Sequence, residues 1–319
     1  MRILVTGARG LLGRETVRAA QSAGHEVRAF QRRPCGLDVD EVLGDIEDLP
    51  AVSRAAVGCS AVIHLAARVG VVGSPAQFAS VNVQGTANVL SAARSAGVHA
   101  FVQVSSPSVA HVGSALVGAP AGPADPKGAR SAYARTKAQA EQLALAADSP
   151  DFAVVAIRPH LVFGPGDTQL IEPIVRRARA GRLVAVGSGL ALIDTTVVDN
   201  AASALVAAVH RAGAAHGRAL VVSNGEPRTV RELLDAIAAS AGLAGVRRGI
   251  PLPVARAAGH VVDAAWRILR RQDEPPITAF VAEQLGTAHW FDQRQTRDLL
   301  QWRPHVSLDD GLARLAAAA

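Results

Sequence analysis

Three glycines spaced three residues apart, Gly7, Gly10 and Gly13, follow a β-branched run at residues 3–5 and open a helical stretch at 11–23. In this context the first glycine permits a tight turn, and the second lets the main chain approach a pyrophosphate. The third allows the helix to pack closely on the strand. The sequence therefore predicts a dinucleotide-binding turn.

The first half of the chain alternates short apolar runs with longer helical stretches. The predicted strands cover 3–5, 26–30, 42–43, 61–65, 101–104 and 154–157, and the predicted helices 11–23, 48–57, 77–97 and 131–148. Such alternation is typical of a parallel sheet with helices on both faces. The stretch 106–130, rich in Gly, Pro, Ala and Ser, reads as a long loop over the carboxyl edge of that sheet. The predicted fold class is α/β, a Rossmann-type doubly wound parallel sheet.

After about Pro159 the alternation weakens. Helical candidates lie near 169–180, 199–211, 229–241, 253–271, 277–285 and 307–318, and short strands near 183–186, 196–198 and 219–222. We interpret 1–158 as a dinucleotide-binding domain and 159–319 mainly as a smaller substrate-binding lobe. The two are expected to pack closely, with some segments of the second returning to the first.

Composition argues against several other classes. The net charge is +6, but the arginines are mixed with acids along the chain of 319 residues. A solvated surface is therefore favoured over nucleic-acid binding. Cys35 and Cys59 give neither a disulfide framework nor metal-ligand spacing. A strand pattern from Arg2 leaves no room for a signal peptide, and no apolar run could span a bilayer. We expect a cytoplasmic protein without a metal.

Tyr133 is the only tyrosine, and Lys137, four residues later, is one of only two lysines among 33 basic residues. On a helix, residues four apart share one face. An ammonium beside a phenol stabilises the phenolate and lowers the pKa of the tyrosine, which suits a general acid or base near neutral pH. The alternative is a surface pair on a helix.

Residues around the predicted turn suggest how a dinucleotide would be held. The N–H groups of Leu11 and Leu12 would meet the phosphates at the start of the helix. A fold that prefers NAD usually carries an acid after the second strand, to bind the ribose 2′-hydroxyl. Here Arg32 and Arg33 stand at this point, with Arg9 in the glycine turn. Guanidinium groups suit a 2′-phosphate, so NADPH is favoured over NADH.

Asp45 and Ile46 follow the third predicted strand. A side-chain acceptor at Asp45 could meet the amino group of the adenine. Alternatively, Asp45 caps the next helix. The sequence leaves both open.

Together these features resemble the extended short-chain dehydrogenase/reductase family. The resemblance covers nearly the whole chain. Its six ordered motifs are Thr6 to Gly13, His64 to Ala67, Asn82 to Thr86, Ser105-Ser106, Tyr133 to Lys137, and Arg158 to Asp167. The family implies a Ser–Tyr–Lys group that couples proton transfer to hydride transfer at a carbonyl or carbinol.

The resemblance implies a role for each residue at a matching position. Tyr133 would protonate the developing alkoxide. Lys137 would lower the pKa of that tyrosine and hydrogen-bond the nicotinamide ribose. Ser106 would donate to the substrate oxygen, although Ser105 and Ser108 are close enough in sequence to replace it.

Three further positions are implied with less detail. Asn82 would support a water-mediated proton relay, or would be an amide that stabilises its helix. Ala66 would line the cofactor cleft. His160 would lie near the nicotinamide amide and act through its main chain.

Two departures argue against sugar chemistry. Arg158-Pro159-His160-Leu161 replaces the Arg-x-Phe-Asn of nucleotide-sugar epimerases, and no Asp-Glu pair follows Ser106. The chain looks more like the 3β-hydroxysteroid dehydrogenase-like branch. Within it, Ser106 to Val109, Val222 to Pro227, Glu283 to Leu285 and His289-Trp290 resemble the 2-alkyl-3-oxoalkanoate reductases of bacterial olefin and β-lactone synthesis. Those enzymes use NADPH to reduce a branched β-keto fatty acid.

Three hypotheses follow: a reductase of an apolar β-keto acid, a sterol or other alcohol dehydrogenase, and an NADP-sensing regulator without turnover. A nucleotide-sugar epimerase is a lesser alternative. With 3% aromatic residues, a pocket walled by Ala, Val and Leu suits aliphatic chains. An arginine of 176–182 could hold a carboxylate. We expect a homodimer formed through the helices 77–97 and 131–148, and assembly with other pathway enzymes is possible.

Overall fold

The structure, a computed structural model, describes residues 1–70, 73–111, 113–269, 271, 273 and 275–317, with the main chain alone at Arg267. The strands are β1 (Arg2–Thr6), β2 (Glu26–Gln31), β3 (Asp40–Leu43), β4 (Ala61–His64), β5 (Ala100–Val104), β6 (Leu116–Ala119), β7 (Ala153–Pro159), β8 (Val162–Phe163), β9 (Val184–Val186), β10 (Leu192–Ile193), β11 (Thr196–Val197), β12 (Arg218–Val222), β13 (Arg228–Thr229), β14 (Arg248–Ile250) and β15 (His289–Phe291).

The helices are α1 (Leu11–Ser22), α2 (Leu49–Ala56), α3 (Pro75–Ala79), α4 (Gly85–Ser95), α5 (Ala132–Ala146), α6 (Ile171–Arg179), α7 (Val198–His210), α8 (Ala212–Ala215), α9 (Val230–Ser240), α10 (Leu252–Ile268), α11 (Ala279–Gly286), α12 (Arg294–Leu300) and α13 (Leu308–Ala317). A π-helical segment, Ser80–Gln84, joins α3 to α4, and a 3₁₀ turn, Pro107–Val109, follows β5.

Seven parallel strands form the main sheet, in the order β12-β7-β5-β4-β1-β2-β3. Side chains alternate between the faces along each strand, so Ile3 and Val5 pack on one side and Leu4 on the other. Residues of α1 and α7 complete the first apolar layer, and residues of α2, α4 and α5 the second. The predicted doubly wound sheet is confirmed.

The register brings the candidate site residues to one edge. Strand β5 pairs with β7 so that Val104 lies beside Ile157, and β4 pairs with β1 so that His64 lies beside Thr6. Because the strands are parallel, the segments that follow β1, β4, β5 and β7 emerge together at the carboxyl edge, where open α/β sheets bind ligands.

Two predicted elements need correction. The helix expected over 77–97 is interrupted by the π-helical segment, which begins at Ser80. The loop expected over 106–130 contains β6, which pairs with β15 far along the chain. The strand expected near 219–222 is present as β12, and it is an edge strand of the main sheet because it pairs with β7. Residues 112, 270 and 318, which lie in the predicted loop and in two predicted helices, are outside the described residues.

The C-terminal half adds a second apolar core and a small sheet. The small sheet has the order β13-β10-β15-β6. The core includes Ile174 of α6, Leu233 and Leu234 of α9, and Leu308 of α13. None of the described helices is both long enough and apolar enough to cross a bilayer. The division of function at residue 158 stays a prediction.

Candidate active site

The glycine turn is packed too closely for side chains at two of its three glycines. Gly7 has a φ of +75°, and a Cβ there would lie 2.9 Å from Ala66 N. A Cβ at Gly13 would lie 2.2 Å from Gly7 O. At Gly10 the nearest atom, Gly7 O, would be 3.5 Å away, so one side of this residue is open.

Helix α1 begins beside this open side. No side chain caps its N-terminus, and its first turn contains no acidic residue. The N–H groups at Leu11 and Leu12 therefore have no side-chain acceptor, and the helix dipole is not neutralised there. The turn fits a pyrophosphate by both shape and charge.

The loop after β2 is held in place by an acidic side chain. Glu41 accepts hydrogen bonds from Cys35 N at 2.9 Å and from the Gln31 amide. Burial raises the pKa of Glu41, but these hydrogen bonds outweigh burial and the net shift is downward. Arg14 Nη1 donates to Cys35 O at 2.7 Å from the other side. The Glu41 carboxylate is thus engaged by the loop.

Three exposed arginines lie near the loop after β2: Arg9 in the glycine turn, and Arg32 and Arg33 just past β2. Within the described ranges of the chain, none of the three forms an ion pair. Their guanidinium groups are therefore available to an anion at the end of β2.

Asp45 does not cap the following helix, so that alternative is wrong. Asp48 caps α2 by accepting from Ala51 N at 3.3 Å, and Asp45 accepts from Glu47 N at 3.1 Å. Ile46 is buried at 6% exposure. The contact of Asp45 and Ile46 with an adenine stays a prediction.

A buried histidine fixes the turn that contains Ala66. His64 Nδ1 lies 2.7 Å from Thr6 Oγ1, which accepts from Ala66 N at 3.1 Å. His64 Nε2 lies 3.1 Å from Thr86 Oγ1. Burial, with a smaller effect of the Lys137 charge, lowers the pKa of His64 to about 3, so the ring is neutral. The sequence signalled this role only by placing a histidine at the end of a buried strand.

Asn82 lies in the π-helical segment and holds the neighbouring loop. Its Oδ1 accepts from Arg68 N at 2.7 Å, and its Nδ2 donates to Arg68 O at 3.1 Å. The same Nδ2 donates to Thr136 Oγ1 at 3.0 Å, which connects the loop after β4 to α5. A positioning amide agrees with these contacts. The proton-relay role stays a prediction.

Of the three serines near the end of β5, Ser106 meets Tyr133. Its hydroxyl is hydrogen-bonded to the tyrosine and lies 3.0 Å from Ser108 Oγ. The hydroxyl of Ser105 is buried without a hydrogen-bond partner among the described atoms. Ser105 N donates to Ile157 O at 2.6 Å, and this fixes the register that turns Ser106 towards α5.

Lys137 is buried on the same face of α5 as Tyr133. Its Nζ donates to Val104 O at 2.5 Å. Burial lowers the pKa of Lys137 to about 8, and Glu141 partly opposes the shift.

The effect of Lys137 on the pKa of Tyr133 stays a prediction. Burial raises the pKa of Tyr133, and the hydrogen bond with Ser106 offsets only part of the shift. The phenol is therefore held protonated at neutral pH.

The side chain of His160 packs against two other rings. Its ring packs edge-on against His289 at 4.9 Å and Phe291 at 5.0 Å between centroids, and its Nδ1 meets Asp194 O. Burial lowers the pKa of His160 well below its usual value. Its main-chain N donates to Val222 O at 3.0 Å. A main-chain contact with the nicotinamide stays a prediction.

A cavity of about 160 Å³ adjoins the turn that begins at Ser106. Its lining comprises Pro107, Ala110, Leu116, Ala119, Pro120, Gly122, Arg158, Val221 and Phe291. The one charged member, Arg158, is already paired with Glu141 and donates to Gly122 O at 2.7 Å. The cavity thus presents mainly apolar walls next to the turn that follows Ser106. In the part of the chain that the structure describes, no group of three or more His, Cys, Asp or Glu could hold a metal ion.

Comparisons with known proteins agree with this arrangement. The model of the NAD dependent epimerase/dehydratase family matches residues 3–223. A 2-alkyl-3-oxoalkanoate reductase of Stenotrophomonas maltophilia (strain K279a) is 40% identical over 100% of this chain and 99% of its own length. A decarboxylating sterol-4-alpha-carboxylate 3-dehydrogenase of Bos taurus is 30% identical over 98% of this chain and 90% of its own length.

Among solved structures, MoeE5 in complex with UDP-glucose and NAD superposes with a TM-score of 0.74 at 27% identity, over 99% of this chain and 98% of that one. The resemblance to extended short-chain dehydrogenase/reductases is confirmed. The glycine turn, the seven-stranded parallel sheet and these full-length relatives place the chain in the NAD dependent epimerase/dehydratase family, as an oxidoreductase that uses a nicotinamide cofactor.

Proposed function

We propose that the protein is an NADPH-dependent reductase that converts a 2-alkyl-3-oxo fatty acid to the 2-alkyl-3-hydroxy acid. The observation that carries this proposal is the Ser106–Tyr133 hydrogen bond, with an apolar cavity lined in part by the turn that follows Ser106. The full-length similarity to a 2-alkyl-3-oxoalkanoate reductase supports the choice of substrate class.

In the proposed reaction a nicotinamide cofactor held at the glycine turn would supply a hydride to the carbonyl carbon. Tyr133 donates its phenolic proton to the carbonyl oxygen as the C–O double bond becomes single. Because its pKa is raised by burial, Tyr133 is protonated at neutral pH and suited to reduction. Ser106 donates a hydrogen bond to the same oxygen, where negative charge develops.

Lys137 has two proposed roles. Below a pH of about 8 its ammonium stabilises the phenolate that forms when Tyr133 loses its proton. The same group would hydrogen-bond the nicotinamide ribose. Asn82 is proposed to position Lys137 and Tyr133 through Thr136, with a water-mediated relay as the alternative.

The preference for NADPH rests on the exposed guanidinium groups of Arg32 and Arg9 and on the engagement of Glu41 by its own loop. A 2′-phosphate provides charge for such arginines, whereas a 2′-hydroxyl calls for an acidic acceptor. The turn residues of Gly7–Gly13 would hold the pyrophosphate, and Asp45 and Ile46 the adenine. Ala66 would line the cofactor cleft, and the main chain of His160 would lie near the nicotinamide amide. NAD remains the alternative cofactor.

Further expectations belong to this proposal. The segment 1–158 would bind the dinucleotide and 159–319 the substrate, although β12 returns to the main sheet. A homodimer through α4 and α5, a cytoplasmic location and an assembly with other pathway enzymes stay predictions from the sequence.

The experiment follows nicotinamide absorbance with the purified protein, NADP⁺ and a synthetic 2-alkyl-3-hydroxy fatty acid, with NAD⁺ in parallel. The oxidative direction avoids β-keto acids, which decarboxylate spontaneously. We expect NADPH formation, with a higher kcat/KM for NADP⁺ than for NAD⁺.

A sterol or simple secondary alcohol tested alongside separates the alternatives. If such an alcohol reacts and the 2-alkyl-3-hydroxy acid does not, the substrate assignment is wrong, and the alcohol dehydrogenase reading replaces it. Turnover with NAD⁺ alone would contradict the role given to Arg32.

A further inference from the structure

A buried carboxylate outside the Ser–Tyr–Lys group is shared by two arginines. Glu283, on α11, has a side chain only 3% exposed. Its Oε1 lies 2.7 Å from Arg130 Nη2 and 3.0 Å from Arg256 Nη2. The cluster carries two positive charges and one negative charge.

The two arginines retain most of their hydrogen-bonding capacity. Each guanidinium has five N–H donors. Among the described residues, Glu283 is the only partner recorded for either one. Their side chains are 39% and 45% exposed, so these donors face a region that a solute can enter. A net positive charge with free donors in a planar fork is suited to a carboxylate.

A buried histidine lies beside the cluster, and its ring makes no hydrogen bond with the described atoms. His111 is 3% exposed, and neither of its ring nitrogens has a hydrogen-bond partner among the described atoms. Glu283 Oε2 is likewise buried and unpaired. Burial lowers the pKa of His111, with opposing effects from Glu283 and Arg130, so the neutral ring offers one N–H donor. Buried polar atoms without a hydrogen-bond partner are rare, and here they occur at both His111 and Glu283, in one cluster.

The cluster lies in the segments that flank the reacting pair. His111 ends the turn that begins at Ser106, and its main-chain N–H donates to Ser108 O at 3.4 Å. Arg130 precedes Ser131, the N-cap of α5, and Tyr133 lies in the first turn of that helix. Because Ser106 is hydrogen-bonded to Tyr133, the two segments lie side by side.

The geometry of a β-keto acid requires an anchor at this point. Its carboxyl carbon is separated from the ketone carbon by one atom, which amounts to about 2.5 Å with C–C bonds of about 1.5 Å. A ketone held by Tyr133 and Ser106 therefore places its carboxylate against residues adjoining them. Arg130 lies three residues before Tyr133, in the segment that leads into its helix, and is the charged member of the cluster nearest to Tyr133 in the sequence.

We propose that Arg130 and Arg256, oriented by Glu283 and assisted by His111, bind the carboxylate of the substrate. This inference rests on the proposed function for its substrate and adds the site that distinguishes a 3-oxo acid from a neutral ketone. Glu283 holds the two guanidinium groups together, and their excess charge balances the ligand.

The test measures binding, so it does not depend on turnover. The probes are a 2-alkylalkanoic acid without a 3-oxygen and its methyl ester, titrated by calorimetry into the protein with saturating NADP⁺. We expect the wild-type protein to bind the acid at least about tenfold more tightly than the ester. The Arg130→Gln and Arg256→Gln proteins should lose about tenfold or more for the acid and less than twofold for the ester.

Two further variants complete the test. Arg135→Gln removes an exposed arginine of α5, the helix that follows Arg130, and should change neither affinity. Arg130→Lys keeps the charge without the planar fork and should lose less affinity for the acid than Arg130→Gln does.

Equal affinity of the wild-type protein for acid and ester would overturn the site, and so would an equal loss for both probes in Arg130→Gln and Arg256→Gln. A wild-type protein that binds the acid through Arg130, yet does not oxidise a 2-alkyl-3-hydroxy acid, would sink the proposed reaction and leave the carboxylate site standing.

Discussion

Arg158 and Glu141 form a doubly hydrogen-bonded ion pair in the interior, with both side chains 1% exposed. Arg158 Nε donates to Glu141 Oε2 at 2.8 Å, and Nη2 donates to Oε1 at 2.5 Å. The pair joins the end of β7 to the helix that carries Tyr133 and Lys137. Since Glu141 lies one helical turn after Lys137, it also acts on the charge of that lysine.

Glu141→Gln should destabilise the protein by about 3–5 kcal/mol, because it leaves the charge of Arg158 buried without its partner. Urea denaturation at pH 7 measures the change in free energy of unfolding. Glu15→Gln is the control, since it removes a carboxylate from an i,i+3 pair near the surface and should cost less than about 0.5 kcal/mol. Equal stability of the Glu141→Gln protein and wild type would contradict the structural importance of the pair.

The same substitution should move the pH dependence of activity. Glu141 raises the pKa of Lys137 towards its usual value, so its loss should bring that pKa below about 8. Lys137 would then lose its proton at lower pH, and the alkaline limb of kcat/KM should shift downward. A pH profile from 6.5 to 9.5 checks this. An unmoved alkaline limb would show that Lys137 does not control it.

Tyr133→Phe should lower kcat by about 100-fold to 10,000-fold, because the phenol is the proposed proton donor. Cofactor affinity, measured by fluorescence titration, should change less than about twofold.

Ser106→Ala should lower kcat by about 100-fold or more through loss of a donor to the oxyanion. Ser105→Ala is the matched control, since its hydroxyl has no hydrogen-bond partner among the described atoms. If Ser105→Ala were the slower of the two serine variants, the serine assignment would be wrong.

The sequence predicted the main sheet well because local patterns encode it. Strand β1 reads as an apolar run, and the glycines after it impose a turn whatever lies elsewhere in the chain. Strands β6 and β15 were missed because each is short and pairs only with a distant partner. The place of β12 in the main sheet likewise depends on a pairing with β7 that no local pattern records.

Within the candidate site, residue identity was readable and the electrostatic environment was not. The spacing of Tyr133 and Lys137 put them on one face of a helix, as expected. The pKa of Tyr133 depends on burial, which outweighs its hydrogen bond with Ser106. The sequence also did not reveal the π-helical segment at Asn82. The side-chain amide of Asn82 contacts Arg68 and Thr136, which lie in other segments of the chain.

Two glycine substitutions should separate folding from cofactor binding. Gly13→Ala places a Cβ 2.2 Å from Gly7 O and should cost about 3 kcal/mol of stability through overpacking.

Gly10 has a φ of −68°, which alanine adopts freely, and a Cβ added there would meet only Gly7 O at 3.5 Å. Gly10→Ala should therefore fold normally, yet bind NADPH at least about tenfold more weakly, because the methyl group occupies the side open to the pyrophosphate. Thermal unfolding and fluorescence titration measure the two effects. A stable Gly10→Ala protein with unchanged affinity would argue against the phosphate turn.

The protein should lose stability steeply as pH falls below about 6.5. Burial lowers the pKa of His64 to about 3 and of His289 to about 4, and lowers those of His111 and His160 as well. In the unfolded chain these rings bind protons below about 6.5, whereas the folded rings stay neutral, so acid favours unfolding. Each ring contributes up to about 1.4 kcal/mol per pH unit over this range.

Two buried carboxyls oppose this trend only in part. Burial raises the pKa of Asp194 to about 6 from 3.8, so between these values the folded state holds a proton that the unfolded state has lost. Burial also raises the pKa of Asp167. Both carboxyls therefore add stability as pH falls, but two groups do not offset four. Urea denaturation at pH 7.5, 6.5 and 5.5 should show a falling free energy of unfolding. His289→Gln should reduce the slope by one proton, while His99→Gln, which removes an exposed ring, is the control. A stability that stays constant or rises between pH 6.5 and 5.5 would mean that these four histidines are protonated in the folded protein.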